Sequence, residues 1–174
     1  SITMDAKHRI WVGYFGSGIE VYSPGLKLLA HIAIPNLPSY AVNHLCCDSQ
    51  NRVWAATNEG LVCIDGKDYK HMKVYGEREG LNNLHIRAII EDKMHNIWVS
   101  TNRGISCVPR NNTQHVLNFT SKDNVMYANF NDGSVLLSPK GELYFGSAQG
   151  LCYFSPSKVL AKRLAPKVNI TSLT

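Results

Sequence analysis

The chain contains the stretch DKMHNIWVST at residues 92–101, and variants of this stretch occur three more times. The other copies are DAKHRIWVG at residues 5–13, DSQNRVWAAT at 48–57 and SPKGELYFGS at 138–147. Their aromatic residues are 43, 44 and 46 positions apart, at Trp11, Trp54, Trp98 and Tyr144. Self-similarity at a nearly constant period indicates a repeat architecture in which each copy is one structural unit.

Two further positions recur around each aromatic residue. An Asp precedes each Trp by six positions, and Ser138 takes this place in the fourth copy. A glycine followed by Ile or Leu comes six or seven positions after the aromatic residue, at Gly18, Gly60, Gly104 and Gly150. The aromatic residues and these glycines are therefore the predicted structural anchors of the repeat.

Each copy is expected to form four short strands. In the second copy, residues 41–47 form an apolar run, and turn residues separate it from a second strand at 53–57. Gly60 can adopt a positive φ and closes a hairpin to a third strand at 61–65. The alternating segment 69–75 completes the unit as an outer strand. The third copy repeats this pattern at 85–91, 97–101, 105–108 and 115–119.

A four-stranded unit of this length, with Trp in its second strand, is typical of a β-propeller blade. The predicted fold is all-β, and the four aromatic anchors are expected to pack between neighbouring sheets. The predicted blades cover about residues 1–35, 36–79, 80–123 and 124–156. Only residues 156–164 have the composition of a short helix. A β-sandwich is the alternative, but a sandwich does not need the same residues at every repeat.

Four blades raise the question of ring closure. Propellers contain four to eight blades, so a closed four-bladed ring is possible. The first copy begins within its innermost strand, however, and no segment obviously supplies the outer strand of the fourth copy. Because open sheet edges promote aggregation, we expect a segment of a larger propeller of the seven-bladed type.

The composition excludes several classes of protein. Of the 174 residues, 44% are hydrophobic and 18% are charged, which argues against disorder, collagen and coiled coil. The formal net charge is +5, but the basic residues are spread along the chain, so no nucleic acid partner is predicted. The longest run without Asp, Glu, Lys or Arg, residues 28–47, contains too many polar groups and prolines to span a membrane.

No catalytic residue, metal site or cofactor is predicted. Cys63, Cys107 and Cys152 are assigned to one core position of the third strand in successive blades, and Cys46 and Cys47 are expected to point to opposite faces of their strand. We therefore expect buried thiols without disulfides. The seven histidines show no metal-binding spacing, and no paired carboxylates or nucleophile motif is present.

A binding surface is the function that these residues can support. The turns before each innermost strand, and those between the second and third strands, gather on one face of a propeller. They carry aromatic, amide, imidazole and guanidinium groups, which suit a sugar or another polar ligand. The candidate ligand-binding residues are Tyr40, Asn83, His85, Arg103 and Tyr127.

Residues 90–105, IEDKMHNIWVSTNRGI, resemble the two-component regulator propeller repeat. The segments 129–134 and 141–156 resemble the final repeat of that family, and KVNITSL at 167–173 is similar to the entry into the Ig-like, Tyr-rich domain that follows it. The resemblance implies a periplasmic sensor region of a Bacteroides-type hybrid sensor histidine kinase, anchored in the inner membrane by its parent protein. It also implies that residues 157–174 are a linker and the start of the Ig-like domain.

The resemblance implies partners as well. These are a glycan or oligosaccharide ligand that controls genes for its utilisation, the remaining blades, the Ig-like domain and a second copy of the receptor in a homodimer. Ligand-contacting positions vary among family members, so no site residue is transferred by motif. Two alternatives remain open: a propeller lyase or hydrolase, and a structural propeller that only binds other proteins.

Overall fold

The computed structural model describes residues 1–123, 125 and 129–164. Within them the chain forms antiparallel sheets whose strands follow one another in sequence order. Blade 1 contains β1 (Ile2–Met4), β2 (Ile10–Tyr14), β3 (Gly18–Tyr22) and β4 (Leu28–Ile32). Blade 2 contains β5 (Val42–Cys47), β6 (Arg52–Thr57), β7 (Gly60–Asp65) and β8 (Met72–Tyr75). Blade 3 contains β9 (Ile86–Glu91), β10 (Ile97–Thr101), β11 (Gly104–Val108) and β12 (Leu117–Phe119).

Among the described residues blade 4 has three strands, in agreement with the expectation that no segment obviously supplies its outer strand. They are β13 (Phe130–Leu137), β14 (Leu143–Ser147) and β15 (Gly150–Phe154). The chain then forms helix α1 (Pro156–Leu164) in place of an outer strand. Pro156 has no N–H to donate to a sheet, and Val159 and Leu160 of the helix pack on the core between blades 3 and 4. The short helix predicted at 156–164 is confirmed.

The separate sheets confirm the propeller architecture and rule out the two-sheet sandwich. The first three aromatic anchors are completely buried between sheets. Trp11 packs with Val53 of blade 2, and Trp54 packs with Val99 of blade 3. Trp98 contacts the core of blade 4, where its ring lies 5.1 Å from that of Phe154. Each blade is therefore held to the next by one buried indole.

Tyr144 departs from this pattern and is only half-buried. Its ring stacks on that of Tyr153, 5.6 Å away between centroids, and its hydroxyl donates to Glu142 over 2.9 Å. No described sheet lies on this side of blade 4, so the packing of Tyr144 between two sheets stays a prediction.

The recurring Asp organises the turn before each Trp strand. Asp92 Oδ1 accepts backbone N–H groups of Met94 and Asn96 at 2.8 and 2.9 Å, and its Oδ2 accepts the Trp98 indole N–H at 2.7 Å. The carboxylate thus shapes the turn and satisfies the buried indole together, as buried polar groups require. In the fourth copy Ser138 Oγ accepts the backbone N–H of Glu142, at 3.0 Å, and blade 4 has Tyr144 in place of the Trp.

The four anchor glycines adopt positive φ, as predicted for the hairpin. At Gly104, with φ of 122°, a Cβ atom would lie 2.5 Å from the carbonyl oxygen of Phe119 in the neighbouring strand. A side chain would therefore be excluded there by both the backbone conformation and the space.

No disulfide joins the five cysteines, all of which the structure describes, but one assignment was wrong. Cys63 and Cys107 lie opposite Trp54 and Trp98 in the strand register, whereas Cys152 lies opposite Phe145 and faces the preceding blade. One residue less separates Cys152 from its hairpin glycine, so the side chain points to the other face of the strand. Cys46 and Cys47 contact different cores, which confirms that they point to opposite faces.

No helix in the described part of the chain has the length and apolar character needed to cross a membrane. The predicted domain division at residue 156 stays a prediction, and the predicted start of an Ig-like domain at 167–173 lies outside the described residues.

Candidate ligand-binding face

The hairpins between the second and third strands and the linkers between blades lie on the same face of the molecule. The Gly18 N–H of the blade 1 hairpin donates to the Tyr40 carbonyl over 3.0 Å, and the Gly60 N–H of blade 2 donates to the Leu84 carbonyl over 2.8 Å. Each hairpin is thus bonded to the linker that enters the next blade. We call this surface the hairpin face.

A polar side chain projects toward each hairpin from the innermost strands of blades 2 and 3. Asn43 and Arg87 are extra residues at bulges in β5 and β9, and each precedes its Trp by eleven positions. A bulge re-aims a side chain that would otherwise alternate with its neighbours. The repeat therefore delivers equivalent side chains to equivalent places on the hairpin face.

The two bulge residues make equivalent hydrogen bonds. Asn43 Nδ2 donates to Asn58 Oδ1 at 2.9 Å and to the Ile86 carbonyl at 2.8 Å. Arg87 donates through Nε to Asn102 Oδ1 at 3.0 Å. In both blades the partner is the Asn that follows Trp by four positions. Each bulge residue is therefore bonded to the hairpin of its own blade, and Asn43 also connects that hairpin with blade 3.

Arg87 also reaches blade 4. Its guanidinium lies 3.1 Å from Asp132 Oδ1, and the exposed fractions of the two side chains are 29% and 41%. A pair this exposed contributes little to stability because solvent screens it. The guanidinium of Arg87 and the carboxylate of Asp132 are, however, both accessible to a ligand on the hairpin face.

Asn83 and His85 belong to the same cluster. Asn83 Oδ1 accepts the backbone N–H groups of His85 and Asn102, both at 3.2 Å. Partial burial lowers the pKa of His85, the nearby charge of Arg87 lowers it further, and Asp132 opposes the shift. His85 is therefore neutral at pH 7 and presents one donor and one acceptor nitrogen. We call the whole group the rim cluster: Asn43, Asn58, Asn83, His85, Arg87, Asn102 and Asp132.

The sequence-predicted residues are divided between two parts of the face. Asn83 and His85 lie in the rim cluster, and Arg103 is exposed in the adjoining hairpin, where its backbone N–H donates to Thr101 Oγ1 at 3.0 Å. Tyr40 is 50% exposed beside the blade 1 hairpin. Tyr127 lies outside the described residues.

Four residues of the hairpin face were not predicted from the sequence. Asn43 and Arg87 lie inside segments with the pattern of strands, although the spacing of eleven to the Trp was visible for both. Asp132 lies in the sequence NDGS at 131–134, which has the composition of a turn. Phe15 is 73% exposed and follows Trp11 by four positions, where blades 2 and 3 carry Asn. The hairpin face thus offers aromatic rings in blade 1 and paired polar groups in blades 2 to 4.

A serine, a histidine and a glutamate meet at the Asp-containing turns, between blades 2 and 3. Ser49 Oγ and Glu91 Oε1 both lie 2.8 Å from His95 Nδ1, and Ser49 Oγ also donates to Glu91 Oε1 at 2.6 Å. A catalytic triad needs the serine and the acid on different imidazole nitrogens. Because both contact Nδ1 here, the trio cannot relay a proton and instead bonds the two blades together.

The thiols are equally unsuited to chemistry. Burial raises the pKa of Cys46 and of Cys63 to about 12, so both stay protonated at neutral pH. Among the residues that the structure describes, no three His, Cys, Asp or Glu side chains come close enough together to hold a metal ion.

The chain matches a known family in two of its blades. The two-component regulator propeller family matches residues 36–59 and 80–103, which cover the start of blades 2 and 3 up to their hairpins. No curated protein matches the chain.

Solved structures extend this similarity to nearly the whole chain. The extracellular domain of a putative hybrid two-component system from B. thetaiotaomicron is 34% identical over 98% of this chain, with a TM-score of 0.85. The extracellular domain of a second such system from B. thetaiotaomicron is 24% identical over 89% of the chain, with a TM-score of 0.69, which shows the fold alone. This chain spans 24% and 20% of those two chains, respectively.

An enzyme also shares the architecture. Virginiamycin B lyase from Staphylococcus aureus is 18% identical over 91% of this chain and 56% of its own, with a TM-score of 0.63. Identity this low shows only the common fold. The similarity that extends to sequence is with the extracellular domain of a two-component system and not with an enzyme. Blades 2 and 3 of this chain thus match the two-component regulator propeller family, and its four blades together are similar to part of the extracellular domain of a putative hybrid two-component system.

Proposed function

We propose that this segment is part of the ligand-binding sensor of a two-component receptor, and that it acts in the periplasm without chemistry of its own. The observation that carries the proposal is the 34% identity, over 98% of the chain, with the extracellular domain of a putative hybrid two-component system. The parent protein is anchored in the inner membrane, acts as a homodimer and contains the remaining blades and an Ig-like domain.

The proposed ligand is a glycan or an oligosaccharide, whose binding controls the genes for its use. Two features of the hairpin face support this chemistry. The rings of Phe15 and Tyr40 are 73% and 50% exposed, and an aromatic ring can stack on the apolar face of a sugar. The rim cluster supplies amide, guanidinium and carboxylate groups, which hydrogen-bond to hydroxyl groups.

Charge favours a neutral ligand over an acidic one. Arg87 is paired with Asp132, and His85 has a lowered pKa, so the rim cluster holds no net positive charge at pH 7. A sulfated or uronate-rich ligand would meet the Asp132 carboxylate there without an unpaired cation in the cluster to offset it. Neutral oligosaccharides are therefore the first group to test.

Calorimetric titration of the purified chain with neutral and acidic oligosaccharides tests the proposal. We expect a neutral oligosaccharide to bind, and Phe15→Ala or Arg87→Ala to weaken binding at least tenfold, which corresponds to about 1.4 kcal/mol. Lys67→Ala is the control, because Lys67 is exposed in the turn between β7 and β8, away from the hairpins. Absence of binding to every sugar contradicts the proposed function. Equal losses in all three variants contradict the assignment of the face.

A further inference from the structure

Three asparagines of the rim cluster use their side-chain oxygens inside the protein. Asn58 Oδ1 accepts from Asn43 Nδ2 at 2.9 Å, and Asn102 Oδ1 accepts from Arg87 Nε at 3.0 Å. Asn83 Oδ1 accepts two backbone N–H groups, each at 3.2 Å. The acceptor end of all three side-chain amides is therefore occupied by the protein.

These partners fix the direction in which each side-chain amide points. A guanidinium and a backbone N–H can only donate, so the atom that faces them in Asn102 and in Asn83 is the oxygen. Asn43 Nδ2 also donates at 2.8 Å to the Ile86 carbonyl, which can only accept, so Asn43 turns a donor towards Asn58. In all three asparagines the Nδ2 group is therefore the end that points away from these bonds.

The three Nδ2 groups have no hydrogen-bond partner among the residues that the structure describes, and they reach solvent. The buried side-chain polar atoms without a partner in this part of the chain are others, namely Asn43 Oδ1, Asn82 Oδ1 and Ser100 Oγ. Blades 2 and 3, which carry the three asparagines, each pack between two neighbouring blades of this chain. The exposure of the three donors therefore does not depend on the ends of the chain.

Acceptors are scarcer than donors in the same place. Asp132 Oδ1 is bonded to Arg87, which leaves Oδ2 of this carboxylate for a ligand, and neutral His85 adds one acceptor nitrogen. The residues that follow the two hairpin asparagines, Glu59 and Arg103, are both exposed and carry opposite charges. The rim cluster and its two hairpins therefore offer an excess of N–H donors without a net charge.

An acetamido group matches this set of donors better than a hydroxyl group does. A hydroxyl that accepts a hydrogen bond still carries its own hydrogen, which needs an acceptor in turn. An acetamido carbonyl accepts two hydrogen bonds and carries no hydrogen, and its single N–H needs only one acceptor, such as Asp132 Oδ2. Because the group is neutral, it also avoids the repulsion that a uronate or a sulfate would meet at Asp132.

We propose that the ligand is an oligosaccharide of acetamido sugars, and that Asn58, Asn83 and Asn102 donate from Nδ2 to its acetamido carbonyls. This inference rests on the proposed function, for which it names the class of ligand and the residues that determine specificity. The bonds to the three Oδ1 atoms hold the amides in place before the ligand arrives, so binding loses little side-chain entropy.

Calorimetric titration of the whole chain with sugars that differ in a single kind of group tests the proposal. Tetra-N-acetylchitotetraose and cellotetraose share one backbone and differ only in the acetamido or hydroxyl group on each ring. N-acetylgalactosamine and galactose form a second pair of this kind. We expect the acetamido sugar of each pair to bind about tenfold more tightly, which is the effect of roughly one hydrogen bond. Tetragalacturonate, an acidic oligosaccharide, should bind more weakly than tetra-N-acetylchitotetraose.

Substitution of Asn by Asp isolates the three donors, because Asp keeps the oxygen that accepts inside the protein and lacks the Nδ2 group. Asn58→Asp, Asn83→Asp and Asn102→Asp should each reduce the preference for the acetamido sugar over its hydroxyl counterpart, with circular dichroism confirming the fold. A purely structural role would lower both affinities equally. Asn111→Asp is the matched control, because it adds the same charge at an exposed residue in the turn between β11 and β12.

Several results would overturn the proposal. These are equal affinities within both pairs, tighter binding of a hydroxyl sugar or of tetragalacturonate, no binding of either acetamido sugar, and variants that lower both affinities equally. A loss of preference in Asn111→Asp as large as in the other variants would do the same. If another neutral sugar binds in these cases, the proposed function stands and only the ligand class is wrong, whereas absence of binding to every sugar contradicts both.

Discussion

Trp98 donates its indole N–H to Oδ2 of Asp92 across 2.7 Å, and both residues are almost completely buried. The same bond joins Trp54 to Asp48 at 2.8 Å and Trp11 to Asp5 at 2.9 Å. This bond explains the constant spacing of six residues, because the carboxylate must stand in the turn at the start of the strand and still reach the ring.

We expect Asp92→Ala to lower the free energy of unfolding by about 3 kcal/mol, since a buried donor without a partner costs about 1–3 kcal/mol and two backbone bonds in the turn are lost as well. Urea denaturation monitored by tryptophan fluorescence measures the change. Ser138→Ala, at the same place in blade 4, removes one bond to the Glu142 N–H and should cost only about 1 kcal/mol. Equal losses in the two variants would mean that the indole bond does not stabilise the fold.

The repeat is readable from the sequence because its determinants are local. The Asp, the Trp and the hairpin glycine each satisfy a requirement of their own turn or strand, so they recur at fixed positions. The burial of Tyr144 was not predictable in this way. It depends on which sheet covers blade 4, and that is a property of the neighbouring element and not of the segment.

The candidate site was only partly predictable for a related reason. Asn83 and His85 could be assigned to the face because they lie in a linker with turn residues. Arg87 is enclosed in an apolar strand sequence, and its direction is set by a bulge that appears only in the pairing of β9 with β10. Alignment of the repeats puts Arg87 at the position equivalent to Asn43, and this equivalence was the signal that could have identified Arg87.

Ser100 puts a hydroxyl group into the buried core of blade 3. The side chain is 0% exposed, and within the described part of the chain its Oγ has no hydrogen-bond partner. We expect Ser100→Ala to raise the free energy of unfolding by about 1 kcal/mol, because the change removes a buried hydroxyl that has lost its water.

Blade 2 offers the reverse substitution. Ala56 occupies the equivalent position and is also 0% exposed, so Ala56→Ser should lower the free energy of unfolding by about 2 kcal/mol. Chemical denaturation of both variants is the measurement. A loss of stability in Ser100→Ala would show that its hydroxyl is bonded after all.

Gly13 sets how closely blades 1 and 2 approach. We expect Gly13→Ala to lower the free energy of unfolding by about 2 kcal/mol, because its Cβ would lie 2.6 Å from Val42 Cγ1. In the double variant with Val42→Ala the clash disappears, so the combined loss should be smaller than the sum of the two single losses. Gly16→Ala, with no atom within 4 Å of its Cβ, should change stability by less than about 0.5 kcal/mol. Additive losses at Gly13 and Val42 would contradict a direct contact.

His44 makes the stability of the segment dependent on pH. Its Nδ1 accepts the Ile89 N–H of blade 3 at 3.1 Å, and its ring faces Gly133 of blade 4, where a Cβ atom would lie 3.1 Å from the imidazole Cδ2. Burial lowers the pKa of His44, and the opposing charge of Asp132 does not cancel the effect. Protonation would also remove the acceptor that Nδ1 presents to Ile89. The neutral imidazole is therefore the form that joins blades 2, 3 and 4.

The direction of the pH effect follows from this lowered pKa. An unfolded histidine takes up its proton near pH 6.5, whereas folded His44 does so only at a lower pH. Between the two pKa values the unfolded chain holds more protons, so the free energy of unfolding is at its full value above about pH 6.5 and falls as the pH is lowered through this window. His85, whose pKa is lowered in the same direction, adds to the fall.

We expect His44→Asn to reduce this fall, because the Asn carbonyl oxygen can still accept the Ile89 N–H but does not titrate. Urea denaturation at a series of pH values between about 7.5 and 5 measures the slope for each protein. His71→Asn is the control, since the His71 side chain is 82% exposed and its ion pair is with Asp68 of the same blade. A slope in His44→Asn that equals that of the wild type, or a reduction of the same size in His71→Asn, would show that protonation of His44 does not govern the contact between these blades.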